Sequence, residues 1–195
     1  MIKKFNNYDQ TRTYSDREQL PKGAYTLKVL GVSLERNDRG EYIKLSADIA
    51  DGEYNGFFAK DYKNQDREDK KWRCNYLLNI PADDGSERDE WTKRRFKTVI
   101  EAFEESNPGF HWAWEEQALK GKSIGGLFNI RQYRANDGTV RSATNLARLC
   151  SVEQVQSGRY KLPEDKLISV AQDGLQTDGF MNIPDAVGDE GLPFN

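Results

Sequence analysis

The sequence predicts a mainly-β fold, a small five-stranded barrel with a helical insert between its third and fourth strands. Three observations carry that expectation. Two long runs near the start alternate apolar and polar residues and flank a turn at Asn37-Asp38-Arg39-Gly40. A later stretch repeats its apolar residues at helical spacing. A second pair of extended runs then flanks Asn136-Asp137-Gly138. Period 2 marks a half-buried strand and period 3.6 an amphipathic helix. The 195 residues suffice for one substantial core. With 31% charged but 36% hydrophobic and 11% aromatic residues, the chain is very soluble yet apolar enough to fold.

Residues 1–20 are polar and irregular and read as an arm. Leu20-Pro21-Lys22-Gly23 is a breaker. It opens AYTLKVLGVSLER, in which Tyr25, Leu27 and Val29 alternate with Thr26 and Lys28. After the turn, EYIKLSADIA sets Ile43, Leu45, Ala47 and Ile49 on one face and Tyr42, Lys44, Ser46 and Asp48 on the other. A turn over 51–56 leads to FFAKDYK, read as the third strand, with Phe58, Lys60 and Tyr62 on one side. The polar NQDREDKK precedes WRCNYLLNI, a further strand or a covering segment.

Phe96, Val99, Ile100 and Phe103 then fall at i, i+3, i+4 and i+7, one helical stripe. Asp89 is the expected N-cap, Asn107-Pro108-Gly109 the stop, and 112–121 a short second helix. SIGGLFNIRQYR and TVRSATNLARL form the last hairpin, Asp-Gly being a strong turn signal. Gly125-Gly126 predicts a bulge or bend. After Val155 periodicity fades, so the organisation reads as an arm over 1–20, a body over 21–157 and a flexible acidic tail over 158–195. Three strands, a helix and two strands is the order of the five-stranded Greek-key barrel called the OB-fold. An α+β sandwich with an open sheet fits the pattern equally well.

Catalytic signatures are missing. The sequence contains no GxxxxGK[ST], GxSxG or HExxH motif, and it holds a single histidine, His111. Cys74 and Cys150 lack a spacing partner and are expected to be buried reduced thiols. Asp48, Asp51, Glu53 and Asp61 lie near strand ends, where carboxylates usually form turns rather than gather magnesium. We therefore expect a non-enzymatic protein without metal or cofactor. No run approaches a membrane span and no apolar leader follows the first charges, which predicts a cytoplasmic protein without membrane contact.

Binding chemistry is better represented. Single-strand binders need cations for the phosphates and exposed aromatics for the bases. Tyr42 and Lys44 share one strand face, and Phe58, Lys60 and Tyr62 another. Trp72-Arg73 lies in a basic segment, and Arg131, Tyr133, Arg134 and Arg141 cluster about the last turn. Each of these side chains could equally be core or a solvated charge in so polar a chain. Seven acids against Lys166 alone lie from Pro163 onward, leaving a body of net charge +3. That asymmetry suits a nucleic-acid handler, or a tail that only aids solubility.

The chain closes with Asp189-Glu190-Gly191-Leu192-Pro193-Phe194-Asn195. Acids followed by an aliphatic residue, proline and phenylalanine resemble the C-terminal tip of bacterial and phage single-stranded-DNA-binding proteins. That resemblance implies docking of Asp189, Glu190, Leu192, Pro193 and Phe194 onto replication and recombination proteins. The family's tip usually stops at the phenylalanine, whereas Asn195 follows here. The run from Leu20 to Phe58 is similar to the opening of phage-encoded recombination and single-strand-binding proteins, more loosely so up to Cys150. It implies an OB-like fold and a place in phage DNA replication or recombination in the host cytoplasm. The alternatives are a protein-interaction module without DNA (a recombination mediator or a phage inhibitor of a host protein) and, more remotely, a metal-dependent nuclease. Edge strands leave homo-oligomerisation open.

Overall fold

The computed structural model describes residues 3–9, 18–38, 40–66 and 68–168. Its strands are β1 (Gly23–Asn37), β2 (Gly40–Ile49), β3 (Asn75–Asn79), β4 (Ser123–Arg134) and β5 (Val140–Cys150). They form one antiparallel sheet in the order β3-β2-β1-β4-β5. Helices α1 (Phe57–Lys63), α2 (Glu87–Ser106) and α3 (Val152–Ser157) and a 3₁₀ turn (Glu116–Leu119) complete the fold.

The first hairpin forms as its alternation predicts. Ile43, Leu45, Ala47 and Ile49 are buried, as are Leu27 and Val29 on β1. Gly40, at φ 123°, lets the chain reverse where a side chain would clash with its own backbone. A bulge between Val29 and Gly31 shifts the register, so Val32 and Leu34 rather than Gly31 and Ser33 continue the row opposite Leu45 and Ile43.

Three expectations are corrected. FFAKDYK is helix α1, not a strand. The buried Asp48 carboxylate of β2 accepts from Phe58 N (2.9 Å) and Ala59 N (3.0 Å), taking up backbone donors that a first helical turn leaves free. The third strand is instead NYLLN, within WRCNYLLNI. The helix α2 is capped by Ser86, whose Oγ accepts from Asp89 N; Asp89 lies inside the first turn, salt-bridged to Lys93 at 3.1 Å. Gly125-Gly126 does not bulge, and the irregularity falls one step later, at Leu127/Phe128. Those glycines make room instead: a Cβ on Gly126 would stand 2.4 Å from Leu27 Cδ1, and one on Gly125 would stand 2.6 Å from Val155 Cγ2.

The sheet is not closed. Its edges β3 and β5 approach each other but share no ladder. Five residues of β3 are fully engaged with β2, and α2 packs against β3, β4 and β5 to cover the interior. The predicted stripe Phe96, Val99, Ile100 and Phe103 is the buried face of that helix. It joins Leu78, Ile124, Phe128 and Leu146 in a single core. Leu20 also packs into the core, so burial begins at the end of the predicted arm. Residues 164–168, assigned by sequence to the tail, lie along β4. Lys166 exchanges backbone hydrogen bonds with Ile130 O and Gln132 N, and Asp165 pairs with Lys22 at 2.9 Å.

Among the described residues no helix is long and apolar enough to cross a membrane.

Candidate nucleic-acid interface

Cross-strand register decides which predicted residues meet. Glu35 stands opposite Tyr42, which stands opposite Asn79; Ser33 stands opposite Lys44, which stands opposite Leu77. Directly paired residues share a face of an antiparallel sheet. These side chains therefore form one row turned away from the buried Ile43, Leu45, Tyr76 and Leu78. Glu35, Tyr42, Lys44, Asn75, Leu77 and Asn145 line a groove of about 320 Å³ on this face.

At its centre the Glu35 carboxylate accepts from Tyr42 Oη (2.9 Å), Ser33 Oγ (2.9 Å) and Lys44 Nζ (3.1 Å). Those bonds, the Tyr42 one foremost, hold the carboxyl below its ordinary pKa and lift the Tyr42 phenol above its own. The groove thus carries an ionised carboxylate beside an ammonium, over the apolar edge of Leu77.

Asn145 links this groove to the last hairpin. On β5 it pairs with Asn129 of β4, and the same row continues through Arg131/Ala143 to Tyr133/Arg141. At about 3.4 Å rise per residue, Arg141 lies about 14 Å along the strand from Asn145. Tyr133 is 43% exposed. At the hairpin tip Asp137 accepts from Thr139 N and from Arg141 Nη2 (2.6 Å), and Arg134 Nη1 donates to Gly138 O. Bonds from Thr139, with Arg141 adding, hold the Asp137 carboxyl below its usual range. Lys166, laid beside Arg131, has its ammonium pKa lowered, first by partial burial and then by the cations Arg131 and Arg95. Positive charge is concentrated here.

The remaining predicted residues fall elsewhere. Phe58 is core, 6% exposed and stacked on Phe128 at 6.1 Å. That corrects its placement on a binding face: in a helix Lys60 turns away from the side that Phe58 and Tyr62, four apart, share. Lys60 and Tyr62 are exposed on α1. Tyr62 lies 5.8 Å from Trp72, whose Nε1 donates to Ala47 O. Arg73 pairs with Asp61 at 3.6 Å. This patch around α1 is a cluster of its own. Asp189, Glu190, Leu192, Pro193 and Phe194 lie outside the described residues.

Glu35, Leu77, Asn75, Asn145 and Lys166 were missed by sequence reasoning. For Glu35 a signal existed: a two-residue hairpin loop between Asn37 and Gly40 sets it opposite Tyr42. Asn145 depended on how β5 curls toward β3, which local pattern does not contain.

Of the carboxylates considered for magnesium, Asp48 and Asp61 have structural partners, Asp61 taking Gln65 Nε2 and Arg73, while Asp51 and Glu53 are exposed. Asp48 bonds three backbone amides, those of Ile49, Phe58 and Ala59. Among the described residues no three His, Cys, Asp or Glu side chains come together as a metal-binding set. Cys74 and Cys150 are free and buried; burial lifts the Cys150 thiol to about 11 and the Cys74 thiol higher still.

No protein-family model matches the chain. A search of curated proteins finds no match either.

Proposed function

We propose that this protein is a non-catalytic, OB-like binder of single-stranded DNA, acting with little overall sequence preference in phage-type replication or recombination in the host cytoplasm. One observation carries the reading: a continuous row of aromatic, amide and basic side chains runs from Tyr42 and Lys44 through Asn145 to Arg131, Tyr133 and Arg141. The strand order supports it, because β4-β1-β2-β3 is the spatial order of a Greek key. In OB-folds the face of the second and third strands, with the loops beside it, engages oligonucleotides. Here those strands carry Tyr42, Lys44 and Leu77. Bases stack on Tyr42 and Tyr133, and phosphates follow Lys44, Arg131, Arg134 and Arg141. The acidic tail carries Asp189, Glu190, Leu192, Pro193 and Phe194 to replication or recombination partners, as the resemblance of its tip implies.

The test is fluorescence anisotropy of labelled oligo-dT and a matching duplex, at low and moderate salt, with the full chain and with residues 185–195 removed. The single strand is expected to bind, and to bind as well or better without the tail. Neutralising about four phosphates gives a log–log salt slope of about -3. Absence of binding at low salt by either form refutes the reading.

A second reading, a module that binds protein and no nucleic acid, is favoured by the aromatic surface around Trp114. That residue is 81% exposed, has φ 62° and stacks on Phe96 at 6.2 Å. A bulky residue held in the left-handed region while exposed to water is uncommon.

A further inference from the structure

We propose that the groove between β2, β3 and β5 selects guanine at one position of the bound strand. The inference rests on the proposed single-strand binding and deepens it. In this arrangement the Glu35 carboxylate accepts from the N1–H and N2–H₂ groups of the base, and Lys44 Nζ donates to O6.

The groove's chemistry is unlike that of a surface that only follows phosphates. A binder concerned with charge alone has no use for a carboxylate at its centre, since an anion there repels the backbone it must hold. Glu35 is nevertheless fixed in place by Tyr42, Ser33 and Lys44 at 2.9–3.1 Å. A carboxylate has about four acceptor sites and three are taken, two of them on Oε1 by Ser33 and Lys44 and one on Oε2 by Tyr42. When Lys44 Nζ turns from Oε1 to O6 of the base, one site is open on each oxygen, enough for N1–H and N2–H₂. An acceptor beside a donor complements the Watson–Crick edge of guanine, which offers two adjacent N–H groups next to a carbonyl. Thymine offers one N–H between two carbonyls, and those oxygens meet the carboxylate unfavourably. Cytosine and adenine each offer one exocyclic amine next to an acceptor nitrogen.

Stacking is supplied by the Tyr42 ring, and Leu77 gives an apolar floor. Asn145 makes no side-chain hydrogen bond among the described residues, which leaves its carboxamide available to the base or sugar. About 320 Å³ is at the lower end of small-ligand pockets, a size for one nucleoside rather than several. If Glu35 serves only to hold the first hairpin in register, its removal lowers stability without any dependence on base identity.

The experiment measures anisotropy of dodecamers of dT carrying one central dG, deoxyinosine, dC or dA, beside all-dT, at fixed salt. It uses the full chain and the Glu35→Gln variant, with a urea midpoint for each. The native chain is expected to bind the dG strand about tenfold tighter than all-dT. Deoxyinosine, lacking the N2 amine, loses most of that gain. Glu35→Gln brings the dG-to-dT ratio within about twofold. Equal binding of dG and dT strands by the native chain overturns the inference and leaves the proposed function standing. A dG preference that survives in Glu35→Gln also overturns it. Failure to bind any strand refutes both.

Discussion

Gly126 is where the sheet has least room. It pairs with Tyr25 of β1 and Leu149 of β5, and a Cβ there would lie 2.4 Å from Leu27 Cδ1 and 2.9 Å from Leu146 Cδ1. Neither leucine can retreat: Leu27 is 0% and Leu146 7% exposed. Carbon atoms prefer separations of about 3.5–4.0 Å, so Gly126→Ala must move a side chain or the backbone by more than 1 Å. Overpacking of this kind costs about 1–3 kcal/mol, and with two close contacts we expect about 2 kcal/mol. With a urea m-value of about 2 kcal/mol/M, the midpoint falls by about 1 M at unchanged m. Urea unfolding followed by tryptophan fluorescence measures it. Gly31→Ala is the control, because its Cβ would meet nothing closer than Ser46 Cβ at 3.7 Å, an ordinary contact. Leu27→Val removes the nearest clashing atom, so Leu27→Val/Gly126→Ala should be less destabilised than the sum of its parts. An unchanged midpoint in Gly126→Ala, or strict additivity in the double variant, refutes the packing argument.

Other outcomes follow from the same geometry. Tyr133→Ala and Tyr42→Ala should each weaken single-strand binding, since a lost stack costs about 1–3 kcal/mol, or about five- to 150-fold; titration of a labelled oligo-dT measures it. Asp48→Ala leaves the amides of Ile49, Phe58 and Ala59 without their acceptor and should cost about 2–4 kcal/mol, read as a lowered urea midpoint. Asp165 has its carboxyl held below the ordinary range, first by the Ile130 amide and then by Lys22. Its contribution is therefore full above the unfolded value of about 3.9 and disappears as pH falls through the lower folded value. Amide exchange of Lys166 should accelerate only in that acid window, and Asp165→Asn should accelerate it at neutral pH. The thiols of Cys74 and Cys150 should resist a disulfide reagent at pH 8 until urea unfolds the chain.

The local pattern of the chain determined the first hairpin, the amphipathic stripe of α2 and the last hairpin. In each, periodicity and turn residues agree over ten residues or more, so side-chain partition and backbone preference point the same way. The face bearing Tyr42 and Lys44, and that bearing Arg131 and Tyr133, followed from the same alternation. FFAKDYK was different: seven residues with Phe58 and Tyr62 four apart fit a strand or a helix. An Asp48 carboxylate placed nine residues before its first turn settled the choice. Only the tertiary structure left the sheet open between β3 and β5, laid residues 164–168 on β4 and brought Asn145 to Tyr42. Those outcomes depend on how a coiled sheet and a packed helix share one interior. That is a property of distant residues in contact, which no local period encodes.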